Sequence, residues 1–383
     1  MSVTTPRGFR AAGVTAGLKA SGRPDLALVV NDGPRHDAAA VFTSNRVEAA
    51  PVTWSRTAVA DGRADAVVLN SGGANACTGA PGFQDAHRTA EHVGATLGIA
   101  PGDVVVCSTG LIGERLPMDL LLSGVDAAAS SLTDEGGPLA AEAILTTDTV
   151  AKTAVAERHG WSVGGMAKGA GMLAPALATM LVVVTTDAVA DPVDLDAALR
   201  AATAETFDRV DSDGCMSTND TVVLLASGAS GVAPEALALT GAVTEVCASL
   251  ARQLVADAEG AHHDIAVEVR SAASVEDALE VARSVARNNL FKCAVFGNDP
   301  NWGRVLAAVG TTGAAFDPAT LDVAMNGIQV CRSGGVGEDR ALVDLSGREV
   351  RVVVDLHAGD ATATVWTNDL THDYVHENSA YST

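Results

Sequence analysis

Short, continuously apolar runs recur through the first half of the chain, and stretches with helical spacing lie between them. ALVVN at 27–31, DAVVLN at 65–70 and DVVVCS at 103–108 predict buried strands, each ending in small or glycine-rich residues. Around 84–98 and 118–131 the apolar positions fall at helical intervals among better helix formers. This alternation is an α/β pattern. Another apolar strand is expected over 178–186, ATMLVVVTT, after the glycine-rich approach GGMAKGAG at 164–171. Asp191-Pro192 marks a helix start before 193–206, and long helical patterns cover 234–258 and 274–290. The tail changes character: 322–330, 348–355 and 361–367 alternate in the manner of antiparallel strands separated by glycine-rich turns. A boundary near residue 280 would divide a core, 1–280, from a smaller C-terminal portion, 281–383. No internal repeat or low-complexity tract breaks the pattern.

Composition narrows the partners. In 383 residues, 48% are hydrophobic but only 3% are aromatic, so alanine, valine and leucine must fill the interior. With 47 acidic against 25 basic residues the formal charge is −22, which argues against a broad nucleic-acid or anionic-membrane surface and leaves small molecules or proteins. The N-terminal segment has no continuous apolar core of a signal peptide, and no stretch approaches the roughly 20 apolar residues of a membrane span. A cytoplasmic protein is expected. Cys77, Cys107, Cys215, Cys247, Cys293 and Cys331 form no CxxC pair, so reduced and mostly buried thiols are expected, with no zinc or dithiol motif.

Several segments offer chemistry. In GGMAKGAGMLAPALATML, 164–181, glycines, a lysine and a proline lead directly into a buried strand that begins with Thr179. Such a loop could hold a strained peptide bond. Were the Ala178–Thr179 bond broken, the new α-amine, with an ordinary pKa of about 7.7–8.0, would lie beside the threonine hydroxyl and serve as its base. From spacing alone, a threonine opening an apolar strand is far more often a structural residue. STGLIG at 108–113 is a tight turn able to present a hydroxyl and an N–H together, as an oxyanion hole requires. NSGGANACTGA at 70–80 lacks the lysine of a P-loop and the GxGxxG of a dinucleotide fold. DRVDSDGCMSTNDTV at 208–222 lacks EF-hand spacing and reads as a hydrogen-bonded turn. His262, His263, His372 and His376 belong to no metal motif. The terminal NSAYST would put the Thr383 carboxylate in a pocket if Asn378 and Tyr381 pinned the tail.

In their order along the chain these segments resemble one family, the ornithine acetyltransferases of arginine biosynthesis. The resemblance is carried by NSGGANACTG at 70–79, STGLIG at 108–113, ILTTDT at 144–149, KGAGMLAPALATML at 168–181, STNDT at 217–221, AEG at 258–260, NDPNWGR at 298–304 and ENSAYST at 377–383. It implies self-cleavage between Ala178 and Thr179 into an α fragment, 1–178, and a β fragment, 179–383, that assemble as an α2β2 heterotetramer. It also implies that Thr179 is the nucleophile, that Thr109 and Gly110 form an oxyanion hole, and that Thr146, Lys168, Thr179, Glu259, Asn378 and Thr383 contact substrate. The implied reaction is ping-pong acetyl transfer from N2-acetylornithine to glutamate, without metal or prosthetic group. Some family members also take the acetyl group from acetyl-CoA. The implied fold is a mixed α/β core, sheets sandwiched between helices, of the self-processing N-terminal-nucleophile type. Two other readings remain: an N-terminal-nucleophile aminopeptidase or amidase with water as acceptor, and a noncatalytic small-molecule-binding protein.

Overall fold

The computed structural model describes residues 2–174 and 180–380. Two sheets stack at its centre. One has four strands in the order Phe9–Val14, Leu26–Asn31, Ala66–Asn70 and Val104–Ser108, antiparallel except for the last pair. The other has five, in the order Asp37–Phe42, Thr221–Ala226, Leu181–Thr186, Trp161–Lys168 and Lys152–Arg158, with only Thr221–Ala226 and Leu181–Thr186 parallel.

Side-chain alternation explains the stacking. Val29, Val67, Leu69, Val105 and Cys107 of the first sheet share a core with Met166, Leu181, Val183, Val223 and Leu225 of the second. The intervening residues point outward to helices, because successive strand side chains face opposite sides. Leu28, Val68 and Val106 meet Ala90, Val93, Leu121 and Val125 of the helices Gly79–Leu97 and Met118–Ser130. Val163, Val182 and Leu224 meet Leu195, Leu199, Val243 and Leu250 of Pro192–Glu205 and Ala236–Ala256. The molecule is therefore mixed α/β, with two sheets held between helical layers. Both faces of the central strands are buried, so their sequences are apolar without interruption.

Residues 164–168 lie in a fully buried strand, Trp161–Lys168, instead of a glycine-rich loop. A Cβ at Gly164 would lie 2.3 Å from the Ser2 carbonyl oxygen, and one at Gly165 would lie 2.9 Å from Val246 Cγ1. These glycines admit close packing on both faces of the sheet.

The C-terminal sheet has six strands, among them Asp264–Ala272, Glu349–Asp355 and Ala361–Asn368, with its own core against the helices Val275–Ala286, Asn289–Phe296 and Trp302–Val309. Here the tail departs from the expected pattern in four places. Segment 322–330 is a hairpin, Asp322–Met325 and Ile328–Arg332, turned at Asn326 and Gly327, both at positive φ as a two-residue turn demands. Glu349–Asp355 runs parallel to Asp264–Ala272. The helical pattern 274–290 is two helices, because Asn288 accepts a hydrogen bond from Phe291 N at 2.9 Å and starts a new one. Finally, His372–Ala380 is helical, begun by Thr371, whose hydroxyl accepts from Tyr374 N at 2.9 Å. No helix among the described residues is long and apolar enough to cross a membrane. Cys107, Cys247 and Cys331 are buried, whereas Cys77, Cys215 and Cys293 are exposed; all six are free.

Candidate active site

The parallel strands Ala66–Asn70 and Val104–Ser108 end level, Asn70 opposite Ser108, and their exit loops are stitched together. Thr109 N donates to Asn70 O at 2.9 Å, Gly73 N to Thr109 O at 3.0 Å, and Ala74 N to Leu111 O at 2.9 Å. The Asn70 side chain joins in, accepting from Ser108 Oγ at 2.6 Å and donating to Gly73 O at 3.0 Å. Gly110 has φ +131°, and a Cβ there would lie 2.7 Å from Gly73 N. Only glycine lets the two loops touch at this point. Gly110→Ala is therefore expected to cost about 1–3 kcal/mol of local strain. If the turn binds an oxyanion, turnover should fall about 100-fold or more; steady-state kinetics alongside a melting curve would check both.

From the other sheet, Lys168 ends its strand opposite Leu181, which in turn pairs with Thr221. Just before Thr221, Asn219 crosses between the sheets: its Nδ2 donates to Ala74 O at 2.6 Å and to Ser108 O at 2.9 Å. The adjacent Asp220 is fully buried and accepts Met180 N on Oδ1 at 3.0 Å. Burial pushes its carboxyl well above the ordinary range, against the pull of the Met180 amide, Ser217 and Lys168. One dipeptide thus pins both the Thr109–Gly110 turn and the first described residue after 174.

The charges beneath this junction form a chain. Asp148, fully buried, accepts from Lys152 Nζ at 2.7 Å and Gly169 N at 2.6 Å on Oδ1, and from Thr146 N at 3.0 Å on Oδ2. Lys168 Nζ lies 3.9 Å from Asp148 Oδ2 and 3.5 Å from Thr109 Oγ1, to which it donates. Burial alone would raise Asp148, but Lys168 and Lys152 hold it well below the usual carboxylate range. Burial lowers the Lys168 ammonium, opposed chiefly by Asp148 and more weakly by Asp220 and Glu259. Lys19, which donates to Leu145 O and Pro24 O, is likewise lowered by burial, to about 8. Because the Thr109 hydroxyl accepts from a lysine, its own proton stays free to be donated to an anion at the turn.

Glu259 approaches from the end of the helix Ala236–Ala256. Its N–H donates to Ala170 O at 3.0 Å, its Oε2 accepts Asn378 Nδ2 at 2.9 Å, and its carboxylate lies so close over Gly171 that a Cβ there would be 2.7 Å from Oε2. A cavity of about 400 Å³ opens beside it, bounded also by Asp213, Lys292, Asp369 and Tyr374. His263 is buried, with Nδ1 2.6 Å from Asp369 Oδ2 and Nε2 3.0 Å from Leu345 O, a structural position; among the described residues no cluster suits a metal ion.

Of the residues singled out in the sequence, Thr109, Gly110 and Lys168 therefore meet directly, Thr146 joins them through Asp148, and Glu259 and Asn378 form a contacting pair. Ala178, Thr179 and Thr383 lie outside the described residues. Residues 10–383 match the ArgJ family. The chain belongs to that family. Two relatives named "Arginine biosynthesis bifunctional protein ArgJ" match it end to end: that of Streptomyces coelicolor, 67% identical, and that of Thermobifida fusca, 66% identical, each covering 100% of both chains. A solved chain of ornithine acetyltransferase from Mycobacterium tuberculosis, complexed with ornithine, is 55% identical over 47% of this chain and 96% of its own, with a TM-score of 0.45.

Within this ArgJ family chain, sequence reasoning assigned no role to Asp148, Asn219, Asp220, Lys152 or Lys19. Three of them stand inside segments already singled out, Asp148 in ILTTDT and the other two in STNDT. The available signal was an acid or amide set among hydroxyl residues beside a glycine-rich block, but their partners are far away in sequence.

Proposed function

We propose that the chain transfers an acetyl group from N2-acetyl-L-ornithine to L-glutamate, through an acetyl ester on Thr179 formed after the chain has cut itself between Ala178 and Thr179. The observation that carries this reading is the junction itself. A threonine hydroxyl that accepts from Lys168 and so keeps its proton to donate, a glycine turn beside it and an acidic side chain at Glu259 surround the end of the strand that Thr179 precedes. Membership of the ArgJ family, and an ornithine complex of a 55% identical chain, support the substrate class.

In the first half-reaction Thr179 Oγ attacks the acetyl carbonyl carbon while the α-amine of Thr179 takes the hydroxyl proton. The oxyanion is held by Thr109 and Gly110. The C–N bond then breaks, the proton passes to the departing nitrogen, and ornithine leaves. In the second half-reaction the glutamate amine attacks the ester, the C–O bond breaks and Thr179 regains its proton. Lys168 suits the substrate α-carboxylate, Glu259 suits the ornithine ammonium, and Thr146, Asn378 and Thr383 complete the contacts. The chemistry uses no metal or prosthetic group.

The two fragments would remain together, because the cut falls between adjacent paired strands, Trp161–Lys168 and Leu181–Thr186, whose ladder and buried faces persist. An α2β2 assembly is the proposed form. The direct test is to incubate the protein with N2-acetylornithine and glutamate and follow N-acetylglutamate by mass spectrometry, with acetyl-CoA as donor in a parallel arm. Product formation is expected. Acetate release without N-acetylglutamate would make the protein an amidase, and no turnover would overturn catalysis of this kind.

A further inference from the structure

The proposed exchange sets a problem of charge. Both amino acids share an α-carbon with the same substituents, but the ornithine side chain ends in an ammonium and the glutamate side chain in a carboxylate. A pocket that orients both must offer each sign, since an unmatched charge taken from water is costly.

The cavity beside Glu259 has both. At about 400 Å³ it is within the range of small-ligand sites. Glu259 and Asp213 supply negative charge. Arg287 also lines the cavity, but it is tied to Asp211 at 2.7 Å. Asp369 is saturated too: Oδ1 accepts His262 N at 3.0 Å and His263 N at 2.9 Å, and Oδ2 faces His263 Nδ1.

Lys292 differs from these. It is buried, 6% exposed, and among the described residues the one acceptor its ammonium hydrogen-bonds is the Ser212 carbonyl; Asp213, Asp211 and Asp369 act on it as nearby charges without such a bond. An ammonium has three donors, so two remain for a ligand. Lys292 also sits in the first turn of the helix Asn289–Phe296, whose amino end favours an anion.

We propose that this cavity is the side-chain subsite of the exchange, in which Lys292 receives the distal carboxylate of glutamate and Glu259 receives the ammonium of ornithine. The inference rests on the acetyl exchange proposed above and adds a specificity residue to it. It also separates the two half-reactions: Lys292 matters when glutamate attacks the ester and is idle when acetylornithine forms it.

The test compares wild type with Lys292→Gln, which keeps a donor for Ser212 O but loses the charge. Each is mixed with N2-acetylornithine alone, and the ornithine burst counts functional sites. Deacylation is then timed with glutamate or with norvaline, an acceptor of similar length without the distal carboxylate. Per functional site, the variant should keep its burst rate within about twofold, lose at least about tenfold in the second-order rate with glutamate, and be unchanged with norvaline. Glutamate and norvaline rates falling alike, both half-reactions falling alike, or an unchanged glutamate rate would each overturn the assignment. A wild type with no burst would instead overturn the exchange, and this inference with it.

Discussion

Thr179→Ala is expected to leave one uncut chain of 38.6 kDa and to lower acetyl transfer by roughly 10⁴-fold or more. The substitution removes the one oxygen that both proposed events require. Without it nothing attacks the preceding carbonyl to cut the chain, and no ester can carry the acetyl group. The α-amine that would serve as base also stays locked in a peptide bond. Thr179→Ser is the informative companion, since it keeps an oxygen at the same position and should cut and transfer, though more slowly. Intact-mass measurement of the three proteins, followed by the transfer assay, decides the matter. Fragments beginning at position 179 in the wild type and Thr179→Ser, but not in Thr179→Ala, are the expected pattern. An uncut but active wild type would sink the self-cleavage half of the reading.

How far the sequence foretold this arrangement depended on what each segment is packed against. Leu26–Asn31, Ala66–Asn70, Val104–Ser108 and Leu181–Thr186 are buried throughout, so an unbroken apolar run announces them. Asp37–Phe42 is just as integral to its sheet, but DAAAVF, with three alanines at its centre, carries little β-branched character and does not announce a strand. Trp161–Lys168 hides for the opposite reason. Its two glycines read as a loop until the Ser2 carbonyl and Val246 are seen pressed against them.

The site shows the same division. Thr109, Gly110 and Lys168 could be singled out because their roles show in local blocks. The groups that hold them act across the chain: Asn219 reaches Ala74 and Ser108, and Asp148 gathers Lys152, Lys168 and Gly169. A periodicity argument has no access to such pairings, since they exist only once two sheets have stacked.

Asp148→Asn should expose how much depends on that last group. The wild-type carboxylate accepts from Lys152, Gly169 and Thr146 and faces Lys168, and the carboxylate and both lysines are buried. An amide offers one acceptor oxygen in place of two, turns an N–H toward a donor, and leaves the buried Lys168 without its nearest carboxylate and Lys152 with Asp257, 2.5 Å away, as its remaining one. Breaking a buried pair from one side costs about 3–5 kcal/mol. That loss is expected near neutral pH in urea unfolding, best followed in the uncut Thr179→Ala chain so that unfolding does not also separate fragments. The gap between parent and variant should then narrow in both directions. Asp148 is held well below its unfolded value of about 3.9, so its stabilisation is complete above that value and fades as acid protonates the folded carboxyl. On the alkaline side, burial already lowers Lys168, and without Asp148 opposing that shift it sheds its proton more readily, which relieves the variant first. A gap under about 1 kcal/mol, typical of an exposed pair, or one that stays constant across pH, would show that the buried lysines do not depend on Asp148.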